Sequence, residues 1–195
     1  MRRIGLFLAV LTLWAGIAGA QSDFDLIINA RPASLLIDMD GKKFAATGAD
    51  GQRVSLSNVY MMPNIAAGVG LDVNDFYLDL TGGAGVLIND NFRSYMLEAS
   101  AALNMLLSES CTLGPRVGLV YFFDPEWTEN DDVEFDETTG FLAGVQLTMG
   151  DKIQYLISVD LIDMSMDAEL APGVDAEDEL DFTGLAIQFG VRGEF

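Results

Sequence analysis

A period-two alternation runs through this chain and leaves little freedom in the fold. Reading back from the C-terminus, Phe195, Gly193, Val191, Phe189, Ile187 and Leu185 share one parity. Glu194, Arg192, Gly190, Gln188, Ala186 and Gly184 share the other. Successive side chains of a strand point to opposite faces, so this segment has one apolar face and one small or polar face.

Five more segments repeat the pattern. Their apolar sets are Met61, Pro63, Ile65, Ala67, Val69 and Leu71; Phe76, Leu78, Leu80, Ala84, Val86 and Ile88; Val117, Leu119, Tyr121 and Phe123; Phe141, Ala143, Val145, Leu147 and Met149; and Ile153, Tyr155, Ile157, Val159 and Leu161. Tyr95 to Leu107 also alternates, yet its Met, Leu and Ala content suits a helical stripe equally well. The first segment places Leu26, Ile28 and Ala30 on one parity, then Leu35, Ile37 and Met39 on the other. A slip of one residue at Pro32 is what a β-bulge produces, and proline is tolerated there.

The connections set the topology. Asn74-Asp75, Ser108 to Ser110 and Gly150-Asp151 are tight and built of turn residues. Asp40 to Ser57, Asn89-Asp90-Asn91, Asp124 to Thr139 and Asp167 to Asp181 alternate with them along the chain. Longer and shorter connections therefore fall on opposite ends of an up-and-down meander, and both termini share the short-turn end.

Residues 1–20 stand outside this pattern. Arg2 and Arg3 precede an apolar run from Ile4 to Ile17, and Ala18-Gly19-Ala20 supplies a small-x-small cleavage site. The run is shorter than the about 20 residues that span a bilayer. It is read as a cleaved signal peptide, with residues 21–195 as one domain starting at Gln21. No later stretch reaches the length of a transmembrane helix.

Half of all residues are hydrophobic, although the chain carries 30 acidic side chains. After residue 20 only eight basic residues oppose them, Arg31, Lys42, Lys43, Arg53, Arg93, Arg116, Lys152 and Arg192, for a net charge of −22. Such a balance disfavours binding to nucleic acid through phosphates. Cys111 is the only cysteine, so no intramolecular disulfide forms.

A chain this apolar and this charged must keep the two classes apart. A strand crossing hydrocarbon needs about 9–11 tilted residues, which these segments match. Lipid leaves no backbone group unpaired, so such a sheet closes on itself. Even strand number returns the chain to its starting side, which makes Tyr95 to Leu107 the eighth strand. The expected fold is all-β: a transmembrane, antiparallel, up-and-down barrel of eight strands following the leader. The proposed lipid face carries almost no charge. Asp79, Glu98, Arg116, Asp160 and Arg192 take the opposite parity and are expected to form ion pairs inside, since eight strands enclose just enough room for side chains. Tyr60, Phe76, Tyr77, Phe92, Tyr121 to Phe123, Trp127, Phe141, Phe182 and Phe195 near strand ends fit interfacial girdles.

On these strands and loops, residues 24–195 resemble the small outer-membrane barrels such as OmpX and the membrane domain of OmpA. The closing strand, Leu185 to Phe195, is the most specific element. In that class a terminal Phe on an alternating strand is the signal read by the barrel-assembly machinery, and Phe195 and Phe189 match those positions. The resemblance implies residence in the bacterial outer membrane among lipid and lipopolysaccharide. Since the sequence stops at Phe195, it also implies no periplasmic domain like that of full-length OmpA.

Enzymatic barrels of the outer membrane rely on a histidine general base, and this sequence has no histidine. No catalytic residue, cofactor or metal centre is therefore expected. A lipocalin-like soluble binder would turn the apolar face inward and coat its outside with charge, whereas the second face here is rich in Gly, Ala and Ser. A structural or surface-interaction barrel with a filled interior is the first reading, and a narrow pore for small hydrophobic compounds, as in OmpW-like barrels, the second. Glu126, Glu129, Asp131, Asp132, Glu134, Asp136 and Glu137 crowd one loop; Asp167, Glu169, Asp175, Glu177, Asp178, Glu179 and Asp181 crowd another. Oxygen-rich loops suit Ca²⁺, although no EF-hand spacing is present.

Overall fold

The computed structural model describes residues 24–39, 44–47, 53–73, 75–128, 133–172, 174–176, 179–181 and 183–195. The expected leader, residues 1–20, lies outside them.

Eight long strands follow one another: β1 (Phe24–Asp38), β2 (Asn64–Val73), β3 (Phe76–Ile88), β4 (Phe92–Ser108), β5 (Cys111–Trp127), β6 (Thr138–Gly150), β7 (Ile153–Asp163) and β8 (Gly184–Glu194). Each pairs antiparallel with its neighbours in sequence. The ring closes where β8 pairs with β1, from Ile27 opposite Glu194 to Asp38 opposite Gly184. Phe195 adds a reciprocal pair of backbone bonds with Leu26, both 3.0 Å. Closure leaves no sheet edge, the condition for placing strands in lipid.

The ambiguous Tyr95 to Leu107 segment is a strand. It lies within β4, paired on both sides, because helical propensity is weak beside two complete hydrogen-bonded ladders. The phase slip in β1 is a bulge. Its pairing with β8 jumps from Ala30–Val191 to Ala33–Phe189, and Pro32 occupies the surplus. Gly150 closes the β6–β7 turn at φ +128°, a backbone conformation that L side chains rarely adopt.

At the end opposite the termini the strands continue into short pairings. Val59–Met61 pairs with β1, and Ser165–Leu170 pairs with both Val133–Phe135 and Glu179–Asp181. Ala45–Thr47 pairs with Arg53–Ser55 and with Asp175–Ala176. The loops on this side thus fold back over the barrel mouth.

Outward positions are apolar, as the alternation requires: Ile153 is 79% exposed, Phe141 66% and Ile65 58%. This inverts the lipocalin-like arrangement, in which greasy faces turn inward.

Candidate functional site: a two-tiered barrel interior

The inward faces divide into two tiers at nearly one height on every strand. On the side of the termini they are mainly polar, with Ile27 and Leu156 the large apolar exceptions. On the loop side they are apolar. The change falls between Ser34 and Leu36 on β1, between Asn64 and Met62 ahead of β2, between Glu98 and Met96 on β4, and between Asp160 and Ile162 on β7. It falls between Gln188 and Ala186 on β8. The strand pairings hold these positions close to one level.

The polar tier holds two linked sets of charges. In the first, Arg116 on β5 donates from Nη2 to Glu98 on β4 and from Nη1 to Asp160 on β7. Arg31 on β1 reaches the same Glu98 at 3.1 Å. Ser100 donates to Glu98 at 3.0 Å, and Ser158 lies 3.0 Å from both Asp160 and Gln188. In the second, Arg192 on β8 meets Asp79 on β3 with two nitrogens, one at 3.0 Å. Asn104 and Gln146 each donate to the same carboxylate at 2.9 Å. Nearer the end that holds the termini, Arg192 Nε donates to Glu194 at 2.9 Å and the guanidinium lies 5.3 Å from the Tyr77 ring centre. Tyr77 in turn donates to Asp25 at 3.0 Å.

All five charges placed inside by the alternation, Asp79, Glu98, Arg116, Asp160 and Arg192, are at least 95% buried. Charges removed from water persist only when paired and hydrogen-bonded, and these are. Four of the ties join strands that are not neighbours: β1 to β4, β3 to β6, β3 to β8 and β5 to β7. They therefore cross the lumen rather than run along its wall.

Arg31 belongs to this network and was missed by the sequence reading. Its parity opposes Leu26, Ile28 and Ala30, which already placed it inside. The proline next to it obscured the signal.

The apolar tier corrects the expected girdle. Tyr60, Phe92, Phe122 and Trp127 are at most 2% exposed and lie inside the barrel mouth. Tyr60, Phe92 and Phe122 sit on inward parity and cannot reach lipid, whereas Trp127 shares the count of outward Phe123 and is turned inside by the register shift at Asp124, whose φ is +51°. Phe44, Leu56, Val133, Phe135, Met164, Met166 and Leu180 from the loop side pack with them. Edge-to-face ring pairs join Phe44 to Phe135 at 5.2 Å and to Trp127 at 5.7 Å, and Tyr60 to Phe92 at 5.9 Å. Each such pair adds about 0.5–1.5 kcal/mol to area burial. Phe76, Tyr95, Tyr121, Phe123, Phe141 and Phe195 do face outward, with Phe123 stacked between Tyr95 and Tyr121. Phe182 lies outside the described residues. Phe189 and Phe195 are both outward and exposed, on the segment that closes the ring against β1.

Glu126 pairs with Arg93 at the surface, and Tyr121 donates to Glu137. A cleft of about 470 Å³ is lined by Asp136, Glu137, Thr138, Ser165 and Asp167. Among the described residues no three carboxylate or thiol side chains group as metal ligands. Glu129, Asp131, Asp132, Glu177 and Asp178 lie outside those residues, as do the side chains of Asp175, Glu179 and Asp181.

A closed antiparallel ring of eight strands, apolar outside and ionic within, has the architecture of an outer-membrane-type β-barrel. No protein-family model and no curated protein sequence matches the chain. Among solved structures it is similar to the outer membrane protein OprG from Pseudomonas aeruginosa, with TM-score 0.54 and 11% identity over 89% of this chain and 97% of that one. It also aligns with Neisserial surface protein A at TM-score 0.43 and 12% identity, covering 88% and 97% of the two chains. The likeness to OprG is one of fold.

Proposed function

We propose that this barrel has a structural or surface-interaction role and that side chains plug its interior. The observation that carries the reading is the set of cross-lumen ties, above all Arg192 to Asp79 and Arg116 to Asp160, under a packed apolar tier. A solute would have to break both to pass. No histidine stands in the sequence to act as general base, so the reading is non-enzymatic. Placed in a planar bilayer, the refolded chain is expected to show no discrete openings. Regular conductance steps in the unaltered protein would overturn the plug.

A narrow path for small hydrophobic compounds is the second reading, favoured by the apolar tier at the loop end. It predicts that such a compound competes with packing there and shifts Trp127 fluorescence saturably.

The outward apolar band suits outer-membrane lipid and lipopolysaccharide as surroundings, and exposed Phe189 and Phe195 on the closing strand suit the barrel-assembly machinery. Replacing Phe195 with Ser is expected to slow assembly in cells while leaving refolding from urea unchanged. The acidic loops offer oxygens for Ca²⁺ bridges to lipopolysaccharide phosphates. If millimolar Ca²⁺ leaves thermal stability in lipopolysaccharide unchanged, that role is removed.

A further inference from the structure

The three lumen arginines are not used alike. Arg192 has Nε, Nη1 and Nη2 all hydrogen-bonded to carboxylates. Arg116 engages both terminal nitrogens and leaves only Nε without a partner among the described residues. Arg31 engages Nη1 alone, with Asn64 and Glu98 each at 3.1 Å. Its Nε and Nη2 have no partner among the described residues, although the side chain is 1% exposed.

Nε and Nη2 form one straight edge of the planar guanidinium, with parallel N–H bonds spaced to grip a single anion. The edge is buried too deeply to be satisfied by bulk water. Next to it the bulge at Pro32 makes Ser34 the following inward residue on β1, and Ser34 Oγ is equally buried and has no partner among the described residues. Across the seam, Gly190 lies so close to the backbone of Ala30 and Arg31 that a Cβ there would meet the Ala30 carbonyl oxygen at 2.2 Å.

Arg31 has no carboxylate to itself. Glu98 Oε1 receives both Arg31 and Arg116, so one carboxylate is divided between two guanidiniums. Asp160 sits on the other nitrogen of Arg116, and Asp79 is taken by Arg192. The cluster of Arg31, Arg116, Glu98 and Asp160 is thus neutral as a whole, with its negative charge concentrated on Arg116 and away from the Nε–Nη2 edge of Arg31.

We infer that the Nε–Nη2 edge of Arg31 is a buried binding site for a small monovalent anion, a halide or a carboxylate the size of formate. The Ser34 hydroxyl supplies a third donor. The site lies in the wall of the lumen at the β1 bulge and is independent of whether the barrel conducts.

The test compares thermal unfolding of the chain, refolded in a zwitterionic detergent, in sodium chloride and in sodium gluconate at equal ionic strength. Gluconate is too large to enter. Chloride is expected to raise Tm saturably over gluconate in the unaltered protein. Arg31→Lys keeps the charge and a donor for Glu98 but has no such edge, and its chloride response is expected to vanish. Ser34→Ala should move the midpoint to higher chloride. Bromide-grown crystals should show an anomalous peak at hydrogen-bond distance from Nε and Nη2. Equal Tm in the two salts, an undiminished response in Arg31→Lys, or an ordered water in place of bromide each overturns the site. If Arg31→Lys does not refold, the salt comparison, Ser34→Ala and the bromide map still decide.

Discussion

Arg192 on the last strand closes a fork on Asp79 of the third strand, 113 residues earlier in sequence and across the lumen. The same carboxylate also accepts Asn104 from β4 and Gln146 from β6, so one buried group ties four of the eight strands. Nothing along the wall could do this. Only a barrel narrow enough for its walls to touch brings these residues together.

That relationship gives the first prediction. Arg192→Gln leaves a buried carboxylate without its cation and is expected to cost about 3–5 kcal/mol. The double change Asp79→Asn with Arg192→Gln removes both charges and should recover a large part of the loss. Urea unfolding in vesicles, followed by heat-modified gel migration, reads both. Additive losses would mean that the pair is not coupled.

The outward face gives the second. Val117 is 57% exposed on β5, paired with Ala101 and Ala143, in the middle of the apolar band. Val117→Arg is expected to cost about 2–4 kcal/mol in a bilayer, whereas Val117→Leu should be nearly neutral. A surface in contact with water would tolerate the arginine.

Glycines separate by what a side chain would meet. A Cβ at Gly144 would stand 2.1 Å from the carbonyl oxygen of Val159, while one at Gly82 meets nothing nearer than 3.8 Å. Gly144→Ala must push β6 from β7 and is expected to cost about 1–3 kcal/mol. Gly82→Ala should stay within about 0.5 kcal/mol of the original. Paired unfolding curves decide, and equal stability of the two would contradict the close approach at Gly144.

The apolar tier is tested by its tryptophan. In residues 21–195 Trp127 is the single indole, and it is 2% exposed inside the mouth. Brominated lipid is expected to leave its emission almost unquenched, while the neighbouring Phe122→Ala should cost about 3–5 kcal/mol. Strong quenching by bromines near the headgroups would return Trp127 to the membrane girdle.

Much of the barrel was readable because a strand has a period of two and lipid demands a charge-free face. The parity of Ile153 to Leu161 or of Val117 to Phe123 names the outward side without any tertiary information. The Pro32 slip marks a bulge for the same reason. Closure into eight strands followed from the need to satisfy every backbone group in hydrocarbon, and it decided β4 against its own helical leanings. Parity also placed Asp79, Glu98, Arg116, Asp160 and Arg192 on the inward side, and Arg31 by the same logic had it been followed through the proline.

What parity cannot carry is height and partner. It names the wall a residue faces, but where that residue lies along the barrel axis depends on the stagger of all eight strands. Strand-end position made Phe92, Phe122 and Trp127 look like girdle residues, whereas parity turns the first two inward and only the register shift at Asp124 brings in the third. That stagger is also why Arg116 meets Asp160, Arg192 meets Asp79, and Arg31 is left with one edge of its guanidinium unanswered. Alternation is local and survives in the chain itself, whereas contact across a lumen exists only once the ring has closed.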